Sequence, residues 1–336
     1  MDKGLWLKGC LHCHSKNSDG FLDPEGVASF YESRGYRLLA LTDHEKISGV
    51  KGFNGVFQFG VEASRGKCMF GASYHIVALG VDGAKILDVK DPQLFIDRVN
   101  EEGGLTFIAH PYWSNLTHED LTQLEGYVGI EVYNTGCDVE VAKGYSTVHW
   151  DCLLSSGRKI WGIAVDDSHR YVIHPLDADG GWIWLNVDDP SPEAALKSIR
   201  EGKFYSSMAP KITMFIHTLS YLKIECTPIH RLDIISSNGR GHSILLETIM
   251  ELLKDWSNPN KRRLCERILT SLEHSDEGLK QKIYLETVKG SRLTFEINKD
   301  GIIGLEAKMS FNYPYVRVEL ADENGRRAWI NPTFNL

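Results

Sequence analysis

The sequence predicts an α/β domain followed by a smaller β-rich domain, and three observations lead to this prediction. Short apolar strands alternate with amphipathic helices between about residues 4 and 205. Histidine and carboxylate residues recur at the ends of these strands. After about residue 205 the pattern changes to the partial polar–apolar alternation that is typical of strands with one solvated face. We therefore predict one domain over residues 1–205 and a second over residues 206–336.

The clearest strand–helix unit lies near the N-terminus. Asp23 is a suitable N-cap, Pro24 suits the first helical turn, and Gly35 is a typical helix stop. Residues 37–41, which are apolar after Arg37, then predict a buried strand that ends at Thr42-Asp43-His44. Further units have strands at 105–109, 129–133 and 160–165, and helices at 92–102 and about 145–156. Such units imply parallel strands with right-handed crossovers, whose carboxyl ends gather at one edge.

The second predicted domain carries a helical insertion. Its strands are predicted at residues 221–226, 231–236, 292–297 and 315–320. Over about residues 243–285, apolar residues recur at helical spacing on both sides of Asn258-Pro259-Asn260, which predicts a helical hairpin. The two apolar stripes are Leu245, Ile249, Leu252, Leu253 and Trp256, and Leu264, Ile268, Leu269 and Leu272. They either pack on the β domain or form a surface for a partner, and the oligomeric state stays open.

The composition is that of a folded protein without membrane segments. The chain has 336 residues, of which 42% are hydrophobic, and its apolar runs are too short to cross a bilayer. Residues 1–5 show no basic stretch before an apolar segment, so we expect no secretion signal. Seven irregularly spaced cysteines favour reduced thiols and a cytoplasmic location.

The net charge of −8 restricts the possible partners. It argues against a broad surface for extended nucleic acid, although a short oligonucleotide could still reach a locally positive pocket. The basic run Lys261-Arg262-Arg263 lies among many acidic residues, and we interpret it as a solvated helix face.

Nine side chains of the first domain have the composition of a multinuclear metal site. They are His12, His14, Asp19, His44, Glu62, His75, His110, Asp167 and His169. Each alone has an ordinary explanation, since a single histidine is usually a hydrogen-bonded core residue and a single aspartate after a strand is usually a helix cap. His12 with His14, and Asp167 with His169, have the i, i+2 spacing that puts two side chains on one face of a strand. Imidazole and carboxylate groups together suit zinc, manganese or iron.

These residues stand in a series of ordered motifs. The series is His12-Cys13-His14, Ser18-Asp19-Gly20, Leu41-Thr42-Asp43-His44, Gly60-Val61-Glu62, His75, Ala109-His110-Pro111 and Asp167-Ser168-His169. In order and spacing it resembles the PHP (polymerase and histidinol phosphatase) family over about residues 4–205. The resemblance implies a distorted (β/α)7 TIM-like barrel that hydrolyses phosphate esters with up to three divalent ions. The tail is similar to PHP proteins with a C-terminal β domain, some of which resemble carbaryl hydrolases that cleave carbamate esters.

The same resemblance implies a distribution of ligands over three metal sites. The first would be held by His12, His14, Glu62 and Asp167, the second by Glu62, His75 and His110, and the third by Asp19, His44 and His169. Glu62 would bridge two ions. The motif Ser18-Asp19-Gly20 resembles the trinuclear branch, which acts on small phosphomonoesters and nucleotides. Cys13 alternates away from the two neighbouring histidines, so we expect it to pack rather than to bind metal.

A filled site of this kind has a clear chemistry. Three divalent ions and three carboxylates would leave a charge of about +3, which attracts a phosphate dianion. A water shared by two ions loses its proton near neutral pH and gives a bridging hydroxide, so we assign no protein nucleophile. Asp43 either orients a metal-bound histidine or caps the next turn. Arg65, Asn134 and Arg170 are candidate substrate contacts.

Three hypotheses about function follow. The leading one is a metal-dependent phosphoesterase that acts on a small phosphomonoester or nucleotide with two to three ions of Mn, Fe or Zn. The second keeps the ions but cleaves a carboxylic or carbamate ester. The third is a catalytically silent metal-binding module that engages a partner through its second domain. Imidazole–carboxylate sites accept all three metals, so the sequence does not choose among them.

Overall fold

The computed structural model describes residues 4–264 and 267–335 of the chain. The chain divides into two units, Asp2–Met208 and Ala209–Leu336, and the division falls close to the predicted boundary. Within the described ranges, no helix is long and apolar enough to cross a membrane. The described cysteines are free thiols, including Cys10 and Cys13 at C-x-x-C spacing. Cys265 and residues 1–3 of the segment considered for a secretion signal lie outside the described residues.

The first unit alternates strands with helices. Its strands are β1 (Leu5–Cys10), β2 (Leu38–Leu41), β3 (Val56–Arg65), β4 (Tyr74–Leu79), β5 (Leu105–Ile108), β6 (Gly129–Asn134), β7 (Trp161–Val165), β8 (Trp182–Val187) and β9 (Phe204–Ser207). Its α-helices are α1 (Pro24–Glu32), α2 (Pro92–Glu101), α3 (His118–Thr122), α4 (Thr135–Val141), α5 (Thr147–Ser155) and α6 (Pro192–Arg200), with a 3₁₀ turn at Ala84–Asp88. Helix α1 begins where predicted because the Asp23 carboxylate accepts a hydrogen bond from the Gly26 amide at 2.7 Å.

These strands form one mixed sheet in the order β9-β8-β1-β2-β3-β4-β5-β6-β7. The strands β1 to β3 are parallel, and so are β5 to β7, as the strand–helix units predict. The parallel pattern fails at β4, which is antiparallel to both β3 and β5, and at β8 and β9. An antiparallel pair needs only a short connection, and the segment 66–73 between β3 and β4 contains no helix.

The carboxyl ends of β1 and β7 meet although the sheet order does not itself close a barrel. An isolated parallel bridge joins Cys13 to Ser168, just beyond these two strands. The His14 amide donates to the Ser168 carbonyl at 3.0 Å. The Asp167 amide donates to the His12 carbonyl, also at 3.0 Å. The closed (β/α)7 barrel stays a prediction, but the two ends that carry four of the candidate ligands lie side by side.

One core cluster of the first unit combines residues of most of its strands with residues of helix α6. Leu38, Phe107 and Val165 come from three different strands and are fully buried, and Ile199 of α6 belongs to the same cluster. Burial of such apolar side chains stabilises the fold by roughly 25 cal/mol per Å² removed from water. The strands are thereby fixed, and so are the positions of the residues at their ends.

The second unit is mostly antiparallel. Its strands are β10 (Ile212–Thr218), β11 (Tyr221–Ile229), β12 (Arg231–Ile235), β13 (Gly241–Leu245), β14 (Arg263–Leu264), β15 (Arg267–Glu277), β16 (Lys280–Thr287), β17 (Arg292–Asn298), β18 (Gly301–Lys308), β19 (Tyr315–Ala321) and β20 (Arg327–Phe334). One sheet has the order β10-β11-β18-β17-β16-β15-β14, while β13, β12, β19 and β20 pair in that order. The four predicted strands coincide with β11, β12, β17 and β19.

The predicted helical hairpin at about 243–285 is wrong in its second half. Only the first stripe forms a helix, α7 (Leu246–Asp255), which buries Ile249 and Leu252. The second stripe lies on β14 and β15, where Leu269 is 3% exposed while its neighbour Ile268 is 50% exposed. Adjacent side chains face opposite sides of a strand, which explains why Ile268 and Leu269 differ in exposure. Their positions relative to Leu264 and Leu272 also match helical spacing, so the sequence pattern alone suggested a helix. The run Lys261-Arg262-Arg263 accordingly spans the end of a 3₁₀ turn and the start of β14, not a helix face.

Candidate metal centre

The structure brings all nine predicted ligand residues together at one edge of the first sheet. Seven of them follow the carboxyl end of a strand, and Glu62 and His75 lie within the antiparallel pair β3–β4. Their potential ligand atoms form three groups, and within each group these atoms lie within 4.8 Å of one another. The first group is His12, His14, Glu62 and Asp167; the second is Glu62, His75 and His110; the third is His14, Asp19, His44 and His169.

All four residues of the first group are buried, and their potential ligand atoms lie close together. The Nε2 atoms of His12 and His14 lie 3.1 Å apart. Asp167 Oδ1 is 3.3 Å from the His12 nitrogen and 3.0 Å from the His14 nitrogen. Glu62 Oε2 is 3.2 Å and 3.3 Å from the same two nitrogens. Donor atoms that share one ion at about 2.0–2.2 Å lie roughly 3.0–3.5 Å apart, so the spacing fits a single divalent ion.

Glu62 connects the first group with the second. Its other oxygen, Oε1, is 2.7 Å from His75 Nδ1 and 3.2 Å from His110 Nε2. One carboxylate thus presents one oxygen to each group, which is the geometry of a bridging ligand. The predicted division of residues between these two groups agrees with the geometry.

The third group differs from the predicted set by the addition of His14. The rings of His44 and His169 lie 4.4 Å and 4.1 Å from the His14 ring. His14 Nδ1 is buried without a hydrogen-bond partner and lies 3.8 Å from Asp19 Oδ1. Asp19 reaches this position because the loop turns tightly at Gly20, where a Cβ atom would lie only 2.3 Å from the His14 carbonyl oxygen. An unpartnered buried nitrogen that faces a carboxylate and two imidazoles fits a cation at this place.

The carboxylates change the protonation of the buried imidazoles. Burial alone would lower the pKa of His14, but Asp167 and Glu62 outweigh it and raise this pKa to about 9. Burial opposes a raised pKa at His12 as well, and the charges of Asp167, Glu62 and Glu131 raise it well above the usual value. The pKa values of Glu62 and Asp167 are lowered correspondingly by His12 and its neighbours, despite their burial.

Metal uptake is therefore expected to release protons. An imidazole must be neutral to bind a metal, and below about pH 9 His14 carries a proton that Mn²⁺ would have to displace. Calorimetric titration of metal-free protein with MnCl₂, repeated in buffers of different ionisation enthalpy, measures the number of protons released per ion bound. This number should be positive at pH 7.5 and should fall as the pH approaches 9. The affinity should rise over the same interval. Equal heats in all buffers would contradict this expectation.

Glu131 supports the first group and was missed in the sequence. Its Oε1 lies 2.6 Å from His12 Nδ1, and its Oε2 accepts from the His110 amide at 2.7 Å and from Asn134 Nδ2 at 2.8 Å. A carboxylate on Nδ1 holds the proton there and leaves the His12 Nε2 lone pair free for a metal. The available signal was a single charged residue inside the apolar strand β6.

The loops that carry Asp19 and His169 are each held by a buried aspartate. Asp43 accepts from the Ser15 amide at 2.6 Å and from the hydroxyl of Ser18 at 2.9 Å, so it fixes the loop before Asp19. None of its described contacts is to a histidine, and the predicted role in orienting one is not supported. Asp177, which was not predicted, accepts from the His169 amide at 2.9 Å and from the two following amides.

The predicted substrate contacts Arg65 and Asn134 do not line the cavity. Arg65 is buried and pairs with Glu45 at 2.7 Å. It follows Glu62 by three positions on β3, and an odd offset on a strand puts two side chains on opposite faces. Asn134 is fully buried and donates to Asp167 Oδ2 at 3.1 Å, so it orients that carboxylate instead of facing the cavity.

A cavity of about 450 Å³ opens over the three groups. Its walls include Trp113 from the turn after β5, Glu140 from α4, and Arg170, the third predicted substrate contact. The Arg170 guanidinium lies 3.3 Å from Asp177 and 3.9 Å from Glu140. One cationic side chain thus stands beside the groups, held by two carboxylates.

Two of the candidate ligands have an unusual backbone. His110 and Asp167 have positive φ angles of 27° and 54°. For residues other than glycine such conformations cost about 1–3 kcal/mol, and they concentrate at functional sites. The surrounding hydrogen bonds, such as that from the His110 amide to Glu131, hold the strained conformation.

The fold and the site define a two-unit α/β protein with a cluster of side chains suited to divalent metal. The chain shares its fold with a two-domain protein from Bacteroides vulgatus described as containing a predicted PHP-like metal-dependent phosphoesterase, with a TM-score of 0.51 and 14% identity over 96% of this chain and 92% of that one. The resemblance inferred from the motifs is thereby confirmed for the fold.

Other comparisons cover less of the chain. An amidohydrolase from Chromobacterium violaceum aligns with 48% of this chain and 87% of its own, with a TM-score of 0.37 and 20% identity. An uncharacterized protein of Methanocaldococcus jannaschii is 28% identical over 118 residues, which are 32% of this chain and 68% of that protein. No protein-family model matches the sequence.

Proposed function

We propose that this protein is a metal-dependent hydrolase, and specifically a phosphoesterase that acts on a small phosphomonoester or nucleotide. The observation that carries the proposal is the convergence of six imidazoles and three carboxylates into three overlapping groups under one cavity. We assign the ligand roles to the nine residues of these groups, for two to three ions of Mn, Fe or Zn. The cytoplasmic location stays a prediction.

The side chains of the site have distinct tasks in this proposal. Bound divalent ions would supply Lewis acidity and a nucleophile derived from water. Glu62 sets the separation of the first and second groups, because its two oxygens face different imidazoles. Glu131 keeps the Nδ1 proton on His12, and Asn134 orients Asp167. Glu62, Glu131 and Asn134 are themselves buried, and the exclusion of water strengthens their contacts.

Arg170 favours a phosphorylated substrate. Its guanidinium is part of the cavity wall and presents several N–H donors, which match phosphate oxygens in geometry and charge. The carboxylates of Asp177 and Glu140 hold it near the groups and leave it 28% exposed. With three divalent ions bound, their six positive charges and that of Arg170 would exceed the five lining carboxylates, so the cavity would be positive in a protein of net charge −8.

A substrate panel tests the proposal. Mn²⁺-loaded protein should release inorganic phosphate from small phosphomonoesters, and His110→Ala and Asp167→Asn should each lower kcat/KM by roughly a hundredfold or more, since each removes a ligand from one group. The matched control is His118→Ala, which lies outside all three groups and should keep the wild-type rate. Parallel assays with aryl carboxylates and aryl carbamates complete the panel.

The panel also separates the three hypotheses. Cleavage of aryl carboxylates or carbamates without cleavage of phosphate esters would replace the phosphoesterase by an esterase that uses the same ligands. Full metal content without turnover of any ester would favour the silent metal-binding module. Wild-type rates in both ligand variants would remove the three groups from the chemistry.

A further inference from the structure

One wall of the cavity is an indole, and we propose that Trp113 selects substrates whose ester-linked group is a flat aromatic ring. This proposal rests on the proposed function and specifies the leaving group. Among the described lining residues, Trp113 is the one aromatic side chain other than imidazoles. The lining also includes the charged side chains of Glu140, Arg170 and Asp177. The cavity therefore combines the three ligand groups, whose bound cations would attract a phosphate, with one apolar wall suited to the group attached to that phosphate.

The Trp113 ring stands beside the metal-facing imidazoles without covering them. Its centroid is 5.0 Å from the His110 ring at an interplanar angle of 70°, and 5.9 Å from the His75 ring at 57°. Neither contact is a face-to-face stack, and part of the Trp113 ring lines the cavity. Trp113 is 38% exposed, so part of its apolar surface is in contact with water. A flat ring stacked on it would remove this apolar surface from water.

The turn that carries Trp113 is rigid. The Ser114 amide donates to the His110 carbonyl at 3.1 Å, and the Leu116 amide donates to the Pro111 carbonyl at 2.9 Å. The Ser114 hydroxyl also lies 3.1 Å from His110 Nδ1. The same hydrogen bonds thus fix the indole and a candidate ligand. A ring stacked on Trp113 would lie at a defined distance from the second group, which is what orientation of a leaving group requires.

A simpler role for Trp113 is to shield His75 and His110 from water. The two roles predict different substrate dependence. A shield would support every substrate equally, because it acts on the ligands alone. A stacking surface would favour flat rings over saturated rings of similar size, since stacking needs a π face. The volume of about 450 Å³ is within the range of ligand pockets and leaves room for a phosphate and a ring.

The test compares phenyl phosphate with cyclohexyl phosphate, which differ in flatness but little in size. In Mn²⁺-loaded Trp113→Leu, kcat/KM for phenyl phosphate should fall about tenfold while that for cyclohexyl phosphate changes little. Trp113→Phe should keep most of the preference. The ratio between substrates, taken relative to the wild type, cancels their different intrinsic reactivity. Tyr112→Leu is the matched control, because Tyr112 is an exposed aromatic residue of the same turn that does not line the cavity.

Binding of the non-hydrolysable analogues phenylphosphonate and cyclohexylphosphonate gives a readout that does not need turnover. Selective binding of phenylphosphonate by wild type and Trp113→Phe, but not by Trp113→Leu, would support the proposal even if no phosphate ester were cleaved, and would then refute only the proposed function. Equal losses for both substrates in Trp113→Leu, or no loss for either, would overturn the stacking role and leave the phosphoesterase intact. Metal analysis of each variant shows that the groups remain loaded.

Discussion

Glu62→Gln is expected to lose bound metal and to reduce phosphate-ester hydrolysis by at least about a thousandfold. The carboxylate is 1% exposed, and its two oxygens face imidazoles of all three groups; beyond the contacts to His12, His14, His75 and His110, Oε2 lies 3.0 Å from His44 Nδ1. An amide keeps the shape of the side chain, but it removes the negative charge and replaces one acceptor oxygen with an NH₂ group. It therefore cannot bridge two cations.

Metal content by elemental analysis and kcat at saturating Mn²⁺ measure this effect. Glu62→Asp keeps the charge but shortens the side chain by one methylene, so its loss should be smaller than that of the amide. Glu193→Gln removes an exposed carboxylate from the first turn of α6 and is the control. A Glu62→Gln protein with full metal and a normal rate would show that the bridging assignment is wrong.

Glu131→Ala is expected to weaken metal binding by about 10- to 100-fold, although Glu131 belongs to none of the three groups. Removal of its carboxylate leaves the His12 Nδ1 proton and the His110 amide without their buried acceptor. The ring of His12 can then rotate or change tautomer, and its Nε2 lone pair no longer points at the first group. The strained backbone of His110 also loses a hydrogen bond that holds it.

Competition with a chelator of known affinity measures the change in the dissociation constant. A positioning role predicts that excess Mn²⁺ restores most of the activity of Glu131→Ala, and that Glu131→Gln, which can still accept one of the hydrogen bonds, falls between alanine and the wild type. Glu119→Ala changes a carboxylate in the first turn of α3 and should bind metal normally. Unchanged affinity in Glu131→Ala would separate Glu131 from the metal groups.

The nine candidate ligand residues could be picked out in the sequence because their positions follow from local pattern. Seven stand just after apolar strands, and strand ends can be recognised in a sequence. Glu131 and Asp177 were missed for different reasons. Glu131 lies within an apolar strand, where the sequence shows a single carboxylate but does not show that His12 is its partner. Asp177 lies in an irregular loop after β7, and the path of such a loop is set by tertiary hydrogen bonds rather than by sequence pattern.

The errors in the predicted fold also have physical causes. Arg65 was predicted to contact substrate because it closely follows Glu62, whereas alternation along β3 puts the two side chains on opposite faces. The segment after α7 carried apolar residues at a spacing that fits both a helix and a strand. The β hairpin was decided by Gly278, whose φ of 70° suits the turn between β15 and β16, and by pairing with neighbouring strands. Strand β4 runs antiparallel to β3 because the segment 66–73 that joins them is too short for a helical crossover.

The three groups differ in their contact with solvent, and this difference has a practical consequence. Every residue of the first group is buried, whereas the side chains of Asp19, His44 and His169 in the third group are 56%, 33% and 31% exposed. An ion held there would exchange with its surroundings much faster than one enclosed in the first group. Purification in the presence of a strong chelator would then strip the outermost cation first. The stoichiometry of an isolated sample would depend on its handling history as well as on its sequence.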